Sequence, residues 1–277
     1  MTTTSLSVAP APATSVRKVT TRGVLRSEWL KFWSLRSSWI ALAASLVVLL
    51  LFGVIAASTY SPPTGSDSGP SMSDGSTDAV SLALMGSPLV SLVVGSLGVL
   101  LFAGEYSTGM IRSTLTAVPR RLPVLFSKSA VVALLVLVLT AIGALVAFAL
   151  GTIGLDGERI SLSLGDEGVL RSLLGFGVYM ALVAVFGVAL GALLRSPAGG
   201  ISSLLGILMI LPNLTSLLPD SMADALQPYF PSTAGEAMFS LHRSADSLSP
   251  GGGFVVFAGW VALALAAAAF RLKRTDA

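Results

Sequence analysis

The chain has 277 residues, of which 53% are hydrophobic and only 11% charged, whereas a typical soluble domain carries about 25% charged residues. Seventeen Lys and Arg and fourteen Asp and Glu are too few to cover the surface of a water-soluble globule of this size. This composition excludes a soluble enzyme, a disordered protein and a nucleic-acid binder with a basic groove, and it indicates an integral membrane protein.

The N-terminal segment divides into two parts. Residues 1–20 are dominated at first by Ser, Thr, Ala and Pro, and we predict a disordered cytoplasmic tail. In residues 21–38, helical periodicity gathers Trp29, Phe32 and Trp33 on one half of the helix and most of the basic and Ser residues on the other, although Glu28 intrudes on the apolar half. This pattern predicts an amphipathic helix lying in the membrane interface.

Residues 39–270 contain the stretches that predict the fold class. About 20 apolar residues of helix are needed to cross a hydrocarbon core about 30 Å thick, and six stretches meet this requirement. We therefore predict an all-α polytopic membrane protein with six transmembrane helices. The predicted spans are 39–58, 82–103, 129–150, 170–194, 199–218 and 252–270.

Basic residues are distributed unequally between the two sides that six spans define. Fourteen Lys and Arg lie on the side of the termini: six before the first span, four in the second connection, one in the fourth and three in the 271–277 tail. Arg159, Arg171 and Arg243 lie on the other side. By the positive-inside rule, both termini are predicted to be cytoplasmic.

Small residues recur within the spans, and the external connections hold few distinctive groups. Gly187 and Gly191 form a GxxxG pattern, which permits two helices to cross closely. The external connection 219–251 is rich in aromatic residues and Pro in its first part, which predicts a structured re-entrant or interfacial turn. His242 lies in a polar tract of that connection and is expected to be a surface residue.

The sequence offers little support for ion coupling, ATP binding or catalysis by this chain. None of the predicted spans contains Asp, Glu or Lys, which disfavours an ion-coupled carrier. No P-loop sequence and no catalytic constellation is found. The chain has no cysteine and one histidine, so we expect no metal site, no catalytic residue and no cofactor on this chain.

Residues 104–121, in the cytoplasmic connection between the second and third predicted spans, form the most informative segment. Gly109 allows a tight bend after the helix end, and Pro119 would stop a short helix. Glu105 can accept hydrogen bonds from a partner or from the Arg112 that follows the bend. The guanidinium groups of Arg112, Arg120 and Arg121 can meet phosphates or acidic partners.

The stretch EYSTGMIRSTLTAVPRR resembles the first cytoplasmic loop of ABC-2 type (type-2 ABC exporter) permeases, particularly those of high-GC Gram-positive bacteria. SEWLKFWSLRSSW at 27–39 looks like the N-terminal interfacial helix of that family, and QPYFPSTAGEA at 227–237 resembles its last external loop. In the family, the cytoplasmic loop carries a coupling helix that docks on an ATPase subunit. The resemblance assigns coupling to Glu105, Tyr106, Gly109, Arg112, Pro119 and Arg121.

The resemblance implies a permease subunit of an ABC exporter in the bacterial plasma membrane. A separate ABC ATPase subunit would bind ATP and Mg, and a second permease copy, identical or different, would complete the path; membrane lipids would be further partners and nucleic acid would not. The substrate and its path are not indicated by the sequence. Two alternatives stay open: a non-transporting membrane anchor or signalling protein, and an ion-coupled secondary transporter.

Overall fold

The computed structural model describes residues 20–60, 77–110, 121–154, 160, 162–217, 219–242 and 247–274. Within these ranges the regular structure is helical, and no strand occurs. We number the α-helices in chain order. They are α1 (Thr21–Ser34), α2 (Arg36–Ser58), α3 (Ala79–Ala83), α4 (Ser87–Ser107), α5 (Arg121–Gly154), α6 (Val169–Leu194), α7 (Pro197–Asn213), α8 (Asp220–Leu226), α9 (Pro231–Phe239) and α10 (Pro250–Arg274).

Five of the six predicted spans are confirmed as helices long and apolar enough to cross a membrane. These five are α2, α4, α5, α6 and α10, with at least 21 residues each. The segment predicted as the fifth span is shorter. It forms α7, whose regular turns are interrupted by a π-helical turn at Gly206–Ile210, followed by a 3-10 turn at Leu214–Leu217.

Several helices begin, end or break at residues other than the bounds of the predicted segments. The predicted second span started at 82, but Leu82 lies in the short α3, and α4 starts only after a turn. The predicted third span, 129–150, lies inside a helix of 34 residues. That helix tolerates Pro123 because Pro123 lies in its first turn, where no intrahelical N–H bond is lost. The N-terminal helix predicted over 21–38 breaks at Leu35, whose backbone is extended.

The helix α6 lies at the centre of the bundle and is buried over most of its length. It packs against α4, α5, α7, α9 and α10. Its crossing with α4 depends on small residues, because a Cβ on Gly98 would overlap the carbonyl oxygen of Ala184 and a Cβ on Gly187 would overlap that of Gly95. The predicted close crossing at the GxxxG pattern is confirmed.

The connection between α7 and α10, predicted to be external, is structured at the end of the bundle where α6 begins. Its helix α9 packs against α6 and α10. The Phe239 ring lies 5.5 Å from that of Phe176 and 5.7 Å from that of Tyr179, centroid to centroid. His242, expected to be a surface residue, is exposed, and its Nδ1 lies 2.9 Å from Oδ2 of the buried Asp78.

We predict that Gly98→Ala lowers the melting temperature of the detergent-purified protein by roughly 3–10 °C, because the added methyl group overlaps the backbone of α6. Gly259→Ala is the matched control. Gly259 is also helical, but nothing lies within 4 Å of an added Cβ, and alanine favours helix. Equal melting temperatures for the two variants would contradict the close crossing of α4 and α6.

Candidate functional site

Four charged side chains form a buried ion cluster where α1, α4 and α5 meet. Its members are Glu28, Lys31, Glu105 and Lys128. Glu28 faces inward because it lies on the buried face of α1. That face contains every fourth residue, namely Val24, Glu28 and Phe32, all of which are buried. Glu105 lies in the last turn of α4, and Lys128 lies in the third turn of α5.

Lys128 connects the two carboxylates of the cluster. Its Nζ lies 2.8 Å from Oε2 of Glu28 and 2.8 Å from Oε1 of Glu105. Lys31 makes the second bridge, with Nζ at 2.8 Å from Oε1 of Glu28 and 3.4 Å from Oε1 of Glu105. A buried charge is costly unless it is paired, and each charge in the cluster has at least one opposite partner.

Burial within the cluster is unequal. The side chains of Glu28, Lys128 and Glu105 are 3%, 5% and 9% exposed, whereas that of Lys31 is 32% exposed. Lys31 is therefore the member that water or a headgroup can reach most easily. Glu105 also keeps one oxygen, Oε2, that is buried and has no hydrogen-bond partner among the described residues.

The pKa values of the two α1 members show which effects dominate. Burial alone raises the pKa of the Glu28 carboxyl, but attraction and hydrogen bonds from Lys128 and Lys31 outweigh it and hold that pKa below the ordinary 4.5. Burial alone lowers the pKa of Lys31, and Glu28 and Glu105 together raise it above the ordinary 10.5. Both shifts favour the charged form, so Glu28 and Lys31 are charged at neutral pH.

The turn between α6 and α7 contacts the same end of α4. The guanidinium carbon of Arg195 lies 5.1 Å from the centre of the Tyr106 ring, within the range of a cation–π contact. Arg271 of α10 donates a hydrogen bond to the carbonyl oxygen of Leu193. The ion cluster, this turn and the C-terminal part of α10 therefore lie at one end of the bundle, together with the end of α4.

Residues 24–213, more than half of the chain, match the family model described as ABC-2 family transporter protein. The chain belongs to the ABC-2 transporter family. It is accordingly a multi-pass integral membrane protein and a transport subunit, as the resemblance implied. The matched range includes all four members of the ion cluster. A search of curated proteins finds no match to the chain.

The coupling residues predicted for this ABC-2 transporter are only partly within the described ranges. Glu105 is buried in the ion cluster, and Tyr106 is half-buried against Phe102, with ring centroids 6.0 Å apart. Gly109 has φ +72°, in the left-handed region that favours glycine, which agrees with the predicted bend after α4. Arg112, Pro119 and Arg120 lie outside the described residues, and Arg121 is described only by its backbone position at the start of α5.

Glu105 is not the sole acid at this end of the bundle, because Glu28 shares Lys128 with it. The predicted spans contain no Glu or Lys, but α4 and α5 extend past those apolar runs and include Glu105 and Lys128. Their mutual pairing lowers the cost of burying both charges, so the helices continue beyond the residues that hydropathy selects.

The aromatic residues predicted to anchor α1 in the membrane interface occupy three different environments. Phe32 is buried and meets the Trp39 ring edge-on, with centroids 6.0 Å apart. Trp29 is half-buried, and Trp33 is exposed, with its ring centroid 4.7 Å from that of Trp39 and the two ring planes tilted by 55°. Phe32 therefore contacts the protein core rather than lipid, and only Trp29 and Trp33 have surface left to contact lipid.

Glu28, Lys31 and Lys128 were not predicted from the sequence as members of a site. The available signal was Glu28, a charge on the apolar half of α1, since a buried carboxylate requires a cationic partner elsewhere. The sequence did not identify that partner. Lys128 is 100 residues away from Glu28 along the chain, and in a linear reading it is one more inward-side basic residue.

We predict that Lys128→Met destabilises the protein by about 3–5 kcal/mol, because it leaves two buried carboxylates with only the half-buried Lys31 between them. The measurement is the thermal melting midpoint of the purified protein at neutral pH. Lys273→Met is the control, since Lys273 is exposed and has no ion pair among the described residues. Equal melting midpoints for the two variants would show that the cluster does not stabilise the fold.

Proposed function

We propose that the protein is the membrane-spanning permease subunit of an ABC exporter in the bacterial plasma membrane. ATP is hydrolysed by a separate ATPase subunit that holds ATP and Mg. Membership of the ABC-2 transporter family is the observation that carries this proposal. The geometry adds support, because Glu105, at the start of the segment 104–121 that is proposed to dock on the ATPase, belongs to an ion cluster that joins three helices.

The proposed orientation places the ion cluster at the cytoplasmic end of the bundle. Lys31, Lys128, Arg195 and Arg271 all belong to this end, in agreement with the excess of basic residues on the side of the termini. In this arrangement α7 makes the sixth crossing. Its 17 residues span about 25 Å at 1.5 Å per residue, and the 3-10 turn at Leu214–Leu217 adds to that length.

The proposed mechanism transmits ATPase closure through residues 104–121. Arg112, Arg120 and Arg121 donate hydrogen bonds to acidic groups of the ATPase surface. A displacement of this segment reaches α4 directly and reaches α1 and α5 through the pairs that Glu105 and Glu28 make with Lys128. Because one ammonium holds both carboxylates, the three helix ends move together, and a second permease copy forms the other wall of an alternating-access path.

The orientation is tested by cysteine labelling, for which the cysteine-free chain provides a clean background. Ser163→Cys and Ser249→Cys should react with a membrane-impermeant thiol reagent on intact cells. Ser34→Cys, also exposed but on α1, should react only after the cells are lysed. Labelling of Ser34→Cys on intact cells would reverse the proposed orientation.

The coupling role is tested by binding and ATPase measurements with the ABC ATPase subunit that partners the permease. Arg112→Ala and Arg121→Ala should each weaken binding of that ATPase to nanodisc-embedded permease by roughly tenfold, because each removes charge-assisted hydrogen bonds. The increase in ATPase activity caused by the permease should fall in parallel.

Arg26→Ala is the matched control for this experiment. Arg26 is exposed on α1 at the same end of the bundle and has no ion pair among the described residues, so its removal changes the inward charge by the same amount. If all three variants bind the ATPase like the wild-type protein, residues 104–121 do not form the docking segment. Transport driven by an ion gradient without any ATPase would instead support a secondary transporter.

A further inference from the structure

A cleft of about 770 Å³ lies between α1, α2, α4, α5 and α7. Its size falls within the range of sites that bind one small ligand, about 300–1,000 Å³. The cleft lies on the face of α4 that carries Leu92, Leu97 and Leu100, whereas the opposite face carries the glycines that contact α6. The cleft is therefore separate from the tightly packed centre of the bundle.

The lining of the cleft is divided into an apolar wall and a polar end. The wall follows α4 from Leu92 towards Glu105, a distance of about 20 Å at 1.5 Å per residue, and is completed by apolar residues of α5 and α7. The polar end is formed by the ion cluster and Ser38. Since α4 is long and apolar enough to cross a membrane, the wall runs through the bilayer and the polar end lies near its surface.

Two buried polar atoms belong to residues at the polar end and lack partners. Oε2 of Glu105 and Oγ of Ser38 are both shielded from water, and neither has a hydrogen-bond partner among the described residues. The two residues are 8% and 1% exposed. A buried, unsatisfied acceptor on a carboxylate costs free energy, so these atoms favour a ligand that brings N–H or O–H donors.

The charges of the ion cluster restrict the chemistry of the ligand further. Two carboxylates and two ammonium groups carry no formal net charge together, so the cluster does not select a ligand of either net sign. The cluster can still accept one hydrogen bond and donate another. Oε2 of Glu105 accepts, and the third proton of the partly exposed Lys31 is available to donate. A headgroup with an N–H-bearing ammonium and a phosphate complements both.

We propose that this cleft binds one phospholipid of the surrounding bilayer, a phosphatidylethanolamine, with one of its two acyl chains along α4. The ammonium donates to Oε2 of Glu105, and the phosphate accepts from Lys31. This site is an addition to the proposed transport function and does not depend on it, because the lipid is held by one chain without the ATPase.

The test compares two lipids that differ in the hydrogen-bonding capacity of the ammonium group. Phosphatidylethanolamine and phosphatidylcholine share the phosphate and the net charge, but the quaternary ammonium of phosphatidylcholine has no N–H. The full chain is reconstituted in bilayers containing equal amounts of both, transferred to detergent, and analysed by native mass spectrometry. We expect one retained lipid per chain and a roughly tenfold preference for phosphatidylethanolamine, as for loss of a hydrogen bond to a charged group.

A pair of tryptophan variants tests whether the lipid lies in the cleft. Leu100→Trp fills the apolar wall and should abolish retention of phosphatidylethanolamine. Leu89→Trp makes the same substitution on the same helix at a residue that does not line the cleft, and it should retain the lipid. The two leucines are 47% and 40% exposed, so both variants are expected to fold, and their melting temperatures are measured alongside.

Glu105→Gln tests the headgroup contact. It replaces a carboxylate oxygen and should reduce the preference for phosphatidylethanolamine over phosphatidylcholine towards one. If this variant fails to fold, the lipid comparison in the wild-type protein and the tryptophan pair still decide the proposal.

Three results would overturn the lipid site. They are equal retention of the two lipids by the wild-type protein, equal retention by the two tryptophan variants, and a lipid-free dimer that Leu100→Trp dissociates. The last result would assign the cleft to a second copy of the chain. All these measurements are made without the ATPase, so their failure is distinguishable from failure of the coupling experiment.

Discussion

Lys128 holds one ammonium group 2.8 Å from the carboxylates of both Glu28 and Glu105, and the arrangement of one end of the bundle depends on these two contacts. Neither carboxylate could remain buried and ionised without a cation nearby. The pairing therefore keeps α1 against the bundle with Glu28 turned inward. It also allows α4 and α5 to continue as regular helices past their apolar runs.

The two faces of α4 are held in different ways. On one face, Gly95 and Gly98 let the backbone of α4 approach α6 closely, and this contact consists of tight backbone and side-chain packing. On the other face, α4 reaches α1 and α5 through the long side chains of the ion cluster. Long side chains span a distance that glycine contacts do not, and the cleft lies on this second face. Tight packing on one side and charge pairing on the other give α4 a rigid support beside an open space.

The ion cluster lies next to the segment that is proposed to couple this transporter to its ATPase. The chain is an ABC-2 family transporter protein, and α4 ends at the bend made by Gly109, directly before residues 111–120. In the proposed coupling, a force applied after Gly109 would reach the carboxylate of Glu105 within one helical turn. From there, Lys128 would transmit it to α5 and to Glu28 of α1. The half-exposed Lys31 is the member of the cluster through which solvent or lipid headgroups have access to this path.

The sequence alone determined the class of the protein and most of its helices. Long apolar runs have few alternatives to membrane helices, because every buried backbone polar group must be satisfied within the helix. Five predicted spans therefore reappear as α2, α4, α5, α6 and α10. The bend at Gly109 and the close crossing at Gly187 and Gly191 were also predictable, since they follow from the local steric properties of glycine.

Which charges meet depends on how the helices pack in three dimensions. Hydropathy treats Glu105 and Lys128 as the polar ends of two separate runs, and helical periodicity treats Glu28 as an error in an amphipathic pattern. The energy of an ion pair depends on the distance between its charges in space. The Nζ of Lys128 comes to 2.8 Å from an oxygen of Glu28 and of Glu105 only after three helices have packed together. The same holds for the cleft and for the inward position of Phe32, because both result from how the helices pack and not from the composition of any one of them.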